Sequence, residues 1–269
     1  MKKIIFVLLF VMSLFFVGCN LEVSNRDNQF VVGMECAYAP FNWTESVKTD
    51  TNYPIAGTSF YADGYDVQIA KMIADELDKE LVIKAVEWDG LIAALNAGEI
   101  DAIIAGMSPT DDRKLSVDFT TAYYRSTHVL VMNKDSKYVN GKNLDDFASA
   151  NVVGQKETLY DSLIDQLKNV NHQTPLDDVP TIITSILSSR SDLTILEEPV
   201  AKGVCKSNPN LTYIKLEEGF NVTEADVCVS IAVQKSHNEL LQKINEVLDS
   251  IDEETKIALM DAATERADD

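Results

Sequence analysis

The chain alternates between short apolar runs and segments in which apolar residues recur every three or four positions. Apolar, β-branched runs predict strands, and the three-to-four spacing predicts amphipathic helices. In the first half this pattern predicts strand, helix, strand, helix and strand, at 30–33, 66–79, 81–86, 89–98 and 102–105. Alternation of this kind predicts a parallel sheet with right-handed crossovers, and therefore an α/β fold.

A second alternating series follows a strand at 128–132 and a polar stretch at 133–150. Further strands and helices are predicted at 152–154, 159–170, 182–187, 193–196, 211–216, 227–233 and 236–251. Ser236, with Glu239 three residues later, suggests a capping box for the last of these helices. The sequence therefore predicts two α/β lobes joined by two crossings, a geometry that suits closure about a cleft. Lobe 1 is predicted to comprise residues 30–132 and 227–269, and lobe 2 residues 133–226.

The N-terminus has the pattern of an export signal. Lys2 and Lys3 precede an apolar stretch from Ile4 to Val17, so residues 1–19 are predicted to be a signal peptide. Gly18–Cys19 resembles a bacterial lipobox, which predicts a lipid on Cys19 and attachment to a membrane surface. An ordinary export signal with an incidental cysteine is the alternative. Residues 20–29 are polar and suit a tether.

Composition and charge exclude some partners. Hydrophobic residues make up 46% of the chain, enough for a core, and 43 acidic against 23 basic residues give a formal charge of -20. A chain this acidic lacks the basic surface that phosphate backbones require, so we expect no nucleic-acid partner.

No pattern in the sequence indicates catalysis or metal binding. The histidines lie far apart, without metal-ligand spacing, at His128, His172 and His237. Adjacent acids, as at Glu197–Glu198, usually point in different directions. We therefore predict no catalytic residue, no metal and no cofactor.

Three cysteines remain beyond the signal, at Cys36, Cys205 and Cys228. An odd number leaves at least one thiol unpaired within the chain. A Cys205–Cys228 disulfide suits an exported protein, and small buried thiols are an equally good interpretation.

The stretch GMSPTDDR at 106–113 carries the clearest binding chemistry. An apolar strand ends in a turn, and Thr110 is placed to cap a short helix whose free amide groups favour an anion. Arg113 in its first turn can form two parallel hydrogen bonds to a carboxylate. Pairing of Arg113 with a nearby surface aspartate is the alternative that the local pattern leaves open.

An ordered set of motifs resembles a known family. The matching segments are MECAYAPFNW at 34–43, GYDV at 64–67, WDGLIAALNAGEID at 88–101, SPTDDR at 108–113, DFTTAY at 118–123 and EEPVA at 197–201. They are similar to the extracytoplasmic solute-binding proteins of polar amino-acid ABC importers. The resemblance implies the two-lobed periplasmic-binding-protein-like fold of type II, in which two hinge-connected lobes each contain a mainly parallel sheet.

The resemblance also implies how the ends of an amino acid are held. Arg113 would bind the α-carboxylate, helped by Ser108, by the backbone near Gly106 and by Thr158 from lobe 2. Glu198, where the family usually has Asp, would bind the α-ammonium group.

The remaining implied roles concern the ligand side chain. Tyr38 and Trp88 would sandwich its aliphatic part, and Glu35 matches an acidic position of members selective for cationic side chains. Two features depart from the family pattern: Glu157 stands where Gly is usual, and the segment 44–63 is longer than in the simplest members.

The function implied is therefore binding of an amino acid, by preference a cationic one such as arginine or lysine, and its delivery to an ABC permease. We expect an exported, lipid-anchored monomer that is not an enzyme. One alternative is an enzyme on the same fold, similar to the cyclohexadienyl dehydratases. Another is a receptor component that reports the ligand to a sensor.

Overall fold

The computed structural model describes residues 26–267. The predicted signal peptide and Cys19 lie outside these residues, as does most of the predicted tether. The described end of the tether, Arg26–Asn28, forms a 3-10 turn against lobe 1, where Arg26 pairs with Asp101 at 3.1 Å. Among the helices of residues 26–267, none is both long and apolar enough to cross a membrane.

The strands are β1 Gln29–Met34, β2 Ala37–Tyr38, β3 Asn42–Glu45, β4 Tyr53–Pro54, β5 Tyr61–Asp63, β6 Glu80–Ala85, β7 Ala102–Ile103, β8 Val117–Arg125, β9 His128–Asn133, β10 Asn151–Val152, β11 Asn171–His172, β12 Leu193–Glu197, β13 Leu211–Ile214 and β14 Cys228–Gln234. The helices are α1 Tyr65–Glu76, α2 Leu91–Asn96, α3 Asp111–Lys114, α4 Leu159–Leu163, α5 Val179–Leu187, α6 Glu198–Ser207, α7 Asn238–Ser250 and α8 Glu253–Arg266. Further 3-10 turns lie at Trp88–Gly90, Ile164–Gln166 and Ala225–Val227.

Each lobe is built on a five-stranded sheet. The first has the order β6-β1-β7-β14-β8, and the second has the order β11-β10-β12-β9-β13. In the first, β14 runs antiparallel to both of its neighbours, and in the second β9 does so, which leaves the other four strands of each sheet pointing the same way. The two-lobed α/β fold with mainly parallel sheets is therefore confirmed.

In each sheet the reversed strand is the one that the chain enters after crossing between lobes. Strand β9 pairs with β12 and β13, so residues 128–132 belong to the second sheet. The sequence placed them in lobe 1, and this pairing moves the crossing to Ser126–Thr127. The apolar run was assigned to the wrong lobe because a buried central strand has the same pattern in either sheet. The two crossings lie side by side, since the Ser126 amide donates to the Val227 carbonyl at 3.0 Å.

A third, four-stranded sheet of order β2-β3-β5-β4 takes β4, β5 and the end of β3 from the long segment 44–63. It is tied to the last helix, because Arg266 donates to the buried carboxylate of Asp63 at 2.8 Å. The described part of the chain has its three cysteines, Cys36, Cys205 and Cys228, as free thiols.

Strand β9 separates two apolar cores. Val129 and Val131 face the larger core, which continues into lobe 1, while Leu130 and Met132 face a smaller core inside lobe 2. This alternation follows from the period of two along a strand. The larger core therefore runs from lobe 1 onto one face of the second sheet.

Candidate functional site

A narrow cavity of about 10 Å³ lies between the lobes. Lobe 1 contributes Glu35, Tyr38, Trp88, Gly106, Ser108 and Arg113, and lobe 2 contributes Gln155, Thr158, Leu159 and Tyr160. Every residue predicted for ligand binding is among them except Glu198. This volume is far below the roughly 300–1,000 Å³ of small-ligand pockets, so the lobes are packed closely together here and a ligand needs them to part.

Arg113 is fixed by the short helix α3. Thr110 caps this helix as predicted, with its hydroxyl accepting from the Arg113 amide at 3.4 Å. The guanidinium donates to the carbonyls of Ser108 at 2.9 Å and Glu157 at 3.2 Å, and lies 5.0 Å from the centre of the Trp88 ring. Burial lowers the pKa of Arg113, yet a guanidinium stays charged at neutral pH. A guanidinium has five N–H donors, so this one can also bind a carboxylate.

Tyr38 forms one wall of the cavity. Its ring stacks on Phe41 at 5.6 Å between centroids, and its hydroxyl donates to Glu197. Gly106 lies against this ring in a left-handed conformation, with φ of 63°. A Cβ at position 106 would come within 3.0 Å of the ring, so only glycine fits without a shift.

The two adjacent acids at the end of β12 point to different places. Glu197 is 2% exposed and accepts hydrogen bonds from Tyr38 and Tyr160, which both line the cavity. Burial raises the pKa of Glu197 to about 7, although these two bonds act in the opposite direction. Glu198 instead accepts from Thr127 at 3.1 Å and pairs with Lys202 at 3.4 Å, beside the crossings. The structure therefore places Glu197, and not Glu198, against the wall of the cavity.

Glu35 lies at another part of the cavity wall, where Gln155 donates to its carboxylate at 2.8 Å. Burial raises the pKa of Glu35 to about 7, and the negative charges of Asp178 and Glu87 raise it further. Acidic side chains also line the recess next to this part of the cavity, which is formed by Glu87, Trp88, Asp89, Lys156, Asp177 and Asp178. A cation placed at Glu35 would relieve this repulsion.

Thr158 is buried and caps helix α4, with its hydroxyl accepting from the Asp161 amide at 3.3 Å and donating to the Gln155 carbonyl at 2.7 Å. Glu157 before it has a φ of 57°, in the left-handed region. A residue with a Cβ costs about 1–2 kcal/mol there, which explains in physical terms why Gly suits this position.

Three consecutive residues of lobe 2, which we name the closing loop (residues 155–157), each contact lobe 1. Gln155 donates to Glu35, and the Lys156 ammonium lies 2.5 Å from Asp89. The Glu157 carbonyl accepts from the Trp88 indole at 3.2 Å as well as from Arg113. The closing loop therefore holds the lobes together around the cavity.

The sequence reasoning missed three residues of the cavity wall, Gln155, Leu159 and Tyr160, and also Glu197, whose carboxyl group is buried behind that wall. Glu197 ends a strand, and ligands of open α/β sheets bind beyond the carboxyl ends of the strands, but no local pattern separates it from Glu198. The other three have no pattern of their own. Within residues 26–267, no group of three or more His, Cys, Asp or Glu is arranged to hold a metal ion.

Comparison with known proteins agrees with this geometry. The sequence profile of bacterial extracellular solute-binding proteins, family 3, matches residues 30–262. The arginine-binding extracellular protein ArtP of Bacillus subtilis is 27% identical over 240 residues, covering 87% of this chain and 85% of the relative. A probable histidine-binding protein of Campylobacter jejuni is 30% identical, covering 82% of this chain and 85% of that protein.

Among solved structures, an amino acid ABC transporter substrate-binding protein, AbpA of Streptococcus pneumoniae, bound to L-arginine superposes with a TM-score of 0.77. It is 27% identical, and the alignment covers 93% of this chain and all of that one. These matches are to proteins that bind solutes, and they therefore favour binding over the enzyme alternative. The chain belongs to family 3 of the bacterial extracellular solute-binding proteins.

Proposed function

We propose that this protein binds a free amino acid with a cationic side chain, arginine before lysine, and delivers it to an ABC permease. The observation that carries the proposal is that Arg113 and Glu35 line the same cavity, which is bounded by both lobes. A dipolar ligand needs a cation for its carboxylate and an acid for each of its positive groups. The arginine-binding names of several relatives support the same choice.

The α-carboxylate is assigned to Arg113, helped by Ser108, by the backbone near Gly106 and by Thr158, whose hydroxyl would turn from the Gln155 carbonyl to the ligand. All four line the cavity, and a two-pronged guanidinium bond is stronger than a neutral one. The α-ammonium group is assigned to Glu197, because this carboxyl group is held by two tyrosines of the cavity wall.

The ligand side chain is assigned to the other part of the cavity. Tyr38 and Trp88 flank its aliphatic portion, and Glu35 receives its positive end. Asp178 and Glu87 add negative potential near Glu35, and such a field concentrates cations at a cleft.

Isothermal titration with L-arginine, L-lysine, L-glutamine and L-glutamate tests the proposal. We expect arginine to bind most tightly. The variant Glu35→Gln should weaken arginine binding about 10–100-fold, the worth of a hydrogen bond to a charged group, and leave glutamine binding nearly unchanged. Glu80→Gln, on the surface of lobe 1, is the matched control. Tighter binding of glutamine or glutamate than of arginine would contradict the cationic assignment.

The residues assigned to the ligand all belong to one chain, which supports a monomer, and the lipobox-like Gly18–Cys19 supports its attachment to the membrane through a lipid on Cys19. Intact-mass measurement of the protein from the membrane fraction should show diacylglycerol on Cys19, and Cys19→Ser should release the protein. Light scattering should give the mass of one chain. A wild-type protein that is released without lipid would contradict the anchor.

A further inference from the structure

A buried carboxyl group lies behind the cavity, in the first turn of helix α1. Asp66 is fully buried, and its two oxygens accept from the Tyr123 hydroxyl at 2.6 Å and from the Asn42 amide nitrogen at 2.8 Å. Burial raises the pKa of Asp66 to about 7, while the bonds from Tyr123, Asn42 and the Gly106 backbone act in the opposite direction. None of the roles assigned to the ligand site uses this group.

Each of the two donors is itself bound to a backbone amide. The Tyr123 hydroxyl accepts from the amide of Gly106 at 3.2 Å, and the Asn42 side-chain oxygen accepts from the amide of Cys36 at 2.7 Å. One carboxyl group therefore reaches two separate segments of backbone, the Gly106 segment through Tyr123 and the Cys36 segment through Asn42.

Both segments are turns in the left-handed region. Gly106 has φ of 63° and Cys36 has φ of 59°. A residue with a Cβ keeps this conformation only when the surrounding structure enforces it, and Cys36 is such a residue. The buried hydrogen bond to Asn42 is one such constraint on Cys36.

The two turns position different residues of the site. Cys36 lies directly after Glu35 and two residues before Tyr38, so its conformation aims the acid assigned to the ligand side chain. Gly106 lies two residues before Ser108, in the segment assigned to the α-carboxylate.

We propose that Asp66 is a positioning residue that fixes both turns, through Tyr123 for the carboxylate end of the ligand and through Asn42 for the side-chain end. The proposal rests on the proposed function for the identity of those ends. The bonding pattern from Asp66 to the two amides stands independently of the ligand.

Tyr123→Phe tests the first arm, with Tyr65→Phe as the matched control. Both tyrosines are fully buried and stack on each other at 5.7 Å, but the Tyr65 hydroxyl donates to the Tyr123 carbonyl and does not reach Gly106. We expect Tyr123→Phe to weaken L-arginine and L-glutamine binding by the same factor, about 5–10-fold, and Tyr65→Phe to change either less than about 2-fold. Equal losses in the two variants, or no loss in Tyr123→Phe, would overturn this arm.

Asn42→Ser tests the second arm, with Asn52→Ser as the control. Asn52 is a second buried asparagine of lobe 1, and its side chain bonds to Thr49 and Val47 instead. We expect Asn42→Ser to reduce the ratio of arginine to glutamine affinity, and Asn52→Ser to leave this ratio unchanged. A uniform loss for both ligands in Asn42→Ser would overturn the selective role.

Amide hydrogen exchange on the unliganded protein gives a readout that does not depend on the ligand. Exchange at 105–108 should accelerate in Tyr123→Phe and stay unchanged in Tyr65→Phe. Unchanged exchange in both variants would overturn the positioning role, even if arginine binds as proposed. A positive exchange result together with tighter glutamate binding would instead contradict the proposed ligand alone.

Discussion

At the scale of single residues, the site depends on which of two adjacent carboxyl groups is bonded to the cavity wall. Glu197 bonds to two cavity tyrosines, whereas Glu198 bonds to Thr127 and Lys202 beside the crossings. We expect Glu197→Gln to weaken L-arginine binding about 10–100-fold, since a hydrogen bond to a charged group is lost. Glu198→Gln is the matched control and should change affinity less than about 2-fold. Titration calorimetry measures both, and a larger loss in Glu198→Gln would reverse the assignment.

The guanidinium of Arg113 gives a second prediction at this scale. A lysine ammonium cannot form two parallel bonds to one carboxylate, nor can it keep both carbonyl contacts to Ser108 and Glu157. We expect Arg113→Lys to lose most of the affinity for L-arginine, about 100-fold or more. Arg26→Lys, at the edge of lobe 1, serves as the control. Normal binding by a folded Arg113→Lys protein would reduce Arg113 to a structural residue.

At the scale of elements, one residue of the closing loop, Glu157, acts through its backbone. Only the carbonyl of Glu157 contacts Trp88 and Arg113, and this residue is held at a φ of 57°. Glu157→Gly should therefore keep L-arginine affinity within about 3-fold and leave thermal stability equal or slightly higher, because glycine adopts this conformation without a Cβ penalty. Affinity and melting temperature are measured together. A large loss of affinity would show that the Glu157 side chain itself takes part.

Elements with a strong local pattern could be predicted from the sequence. Strand β1 and helices α1 and α2 lie within a few residues of their predicted positions, because their apolar residues repeat at the period of the element. The cap at Thr110 was predicted, whereas the capping box at Ser236 is wrong: helix α7 starts at Asn238 without a side-chain cap, and Ser236 has a φ of 72°.

Elements whose burial is set by distant neighbours could not be predicted. Strand β8 mixes exposed and buried residues without regular alternation, and helix α8 leaves Ile257 half exposed. The same reason explains the error at Glu197 and Glu198. Every residue of β12 is buried, so the local pattern does not tell which side chain at the end of the strand faces the cleft.

At the scale of the whole molecule, closure and protonation are linked. Glu35 and Glu197 have pKa values raised to about 7, mainly by burial. A cationic ligand needs both groups ionised, so binding lowers their pKa values and releases protons. Affinity for L-arginine should therefore fall as the pH drops from about 8 to about 5.5, by at most about 10-fold per pH unit for each group.

Calorimetry in two buffers of different ionisation enthalpy measures the protons released. We expect fewer protons from Glu35→Gln than from the wild type at about pH 6.5. An affinity that does not change with pH would contradict the role of both acids in holding positive charge.

The chain contains two tryptophans, and the closing loop gives one of them a special use. Trp43 lies in β3, where its indole bonds to Glu45 within lobe 1. Trp88 bonds across the cleft to Glu157, so parting of the lobes exposes its indole to water. Trp43→Phe should therefore leave Trp88 as the one tryptophan, and its fluorescence should change as the lobes open and close. Trp88→Phe should abolish the change in tryptophan fluorescence that L-arginine causes. Trp88 is thus an intrinsic fluorescent probe of ligand binding, and no dye has to be attached.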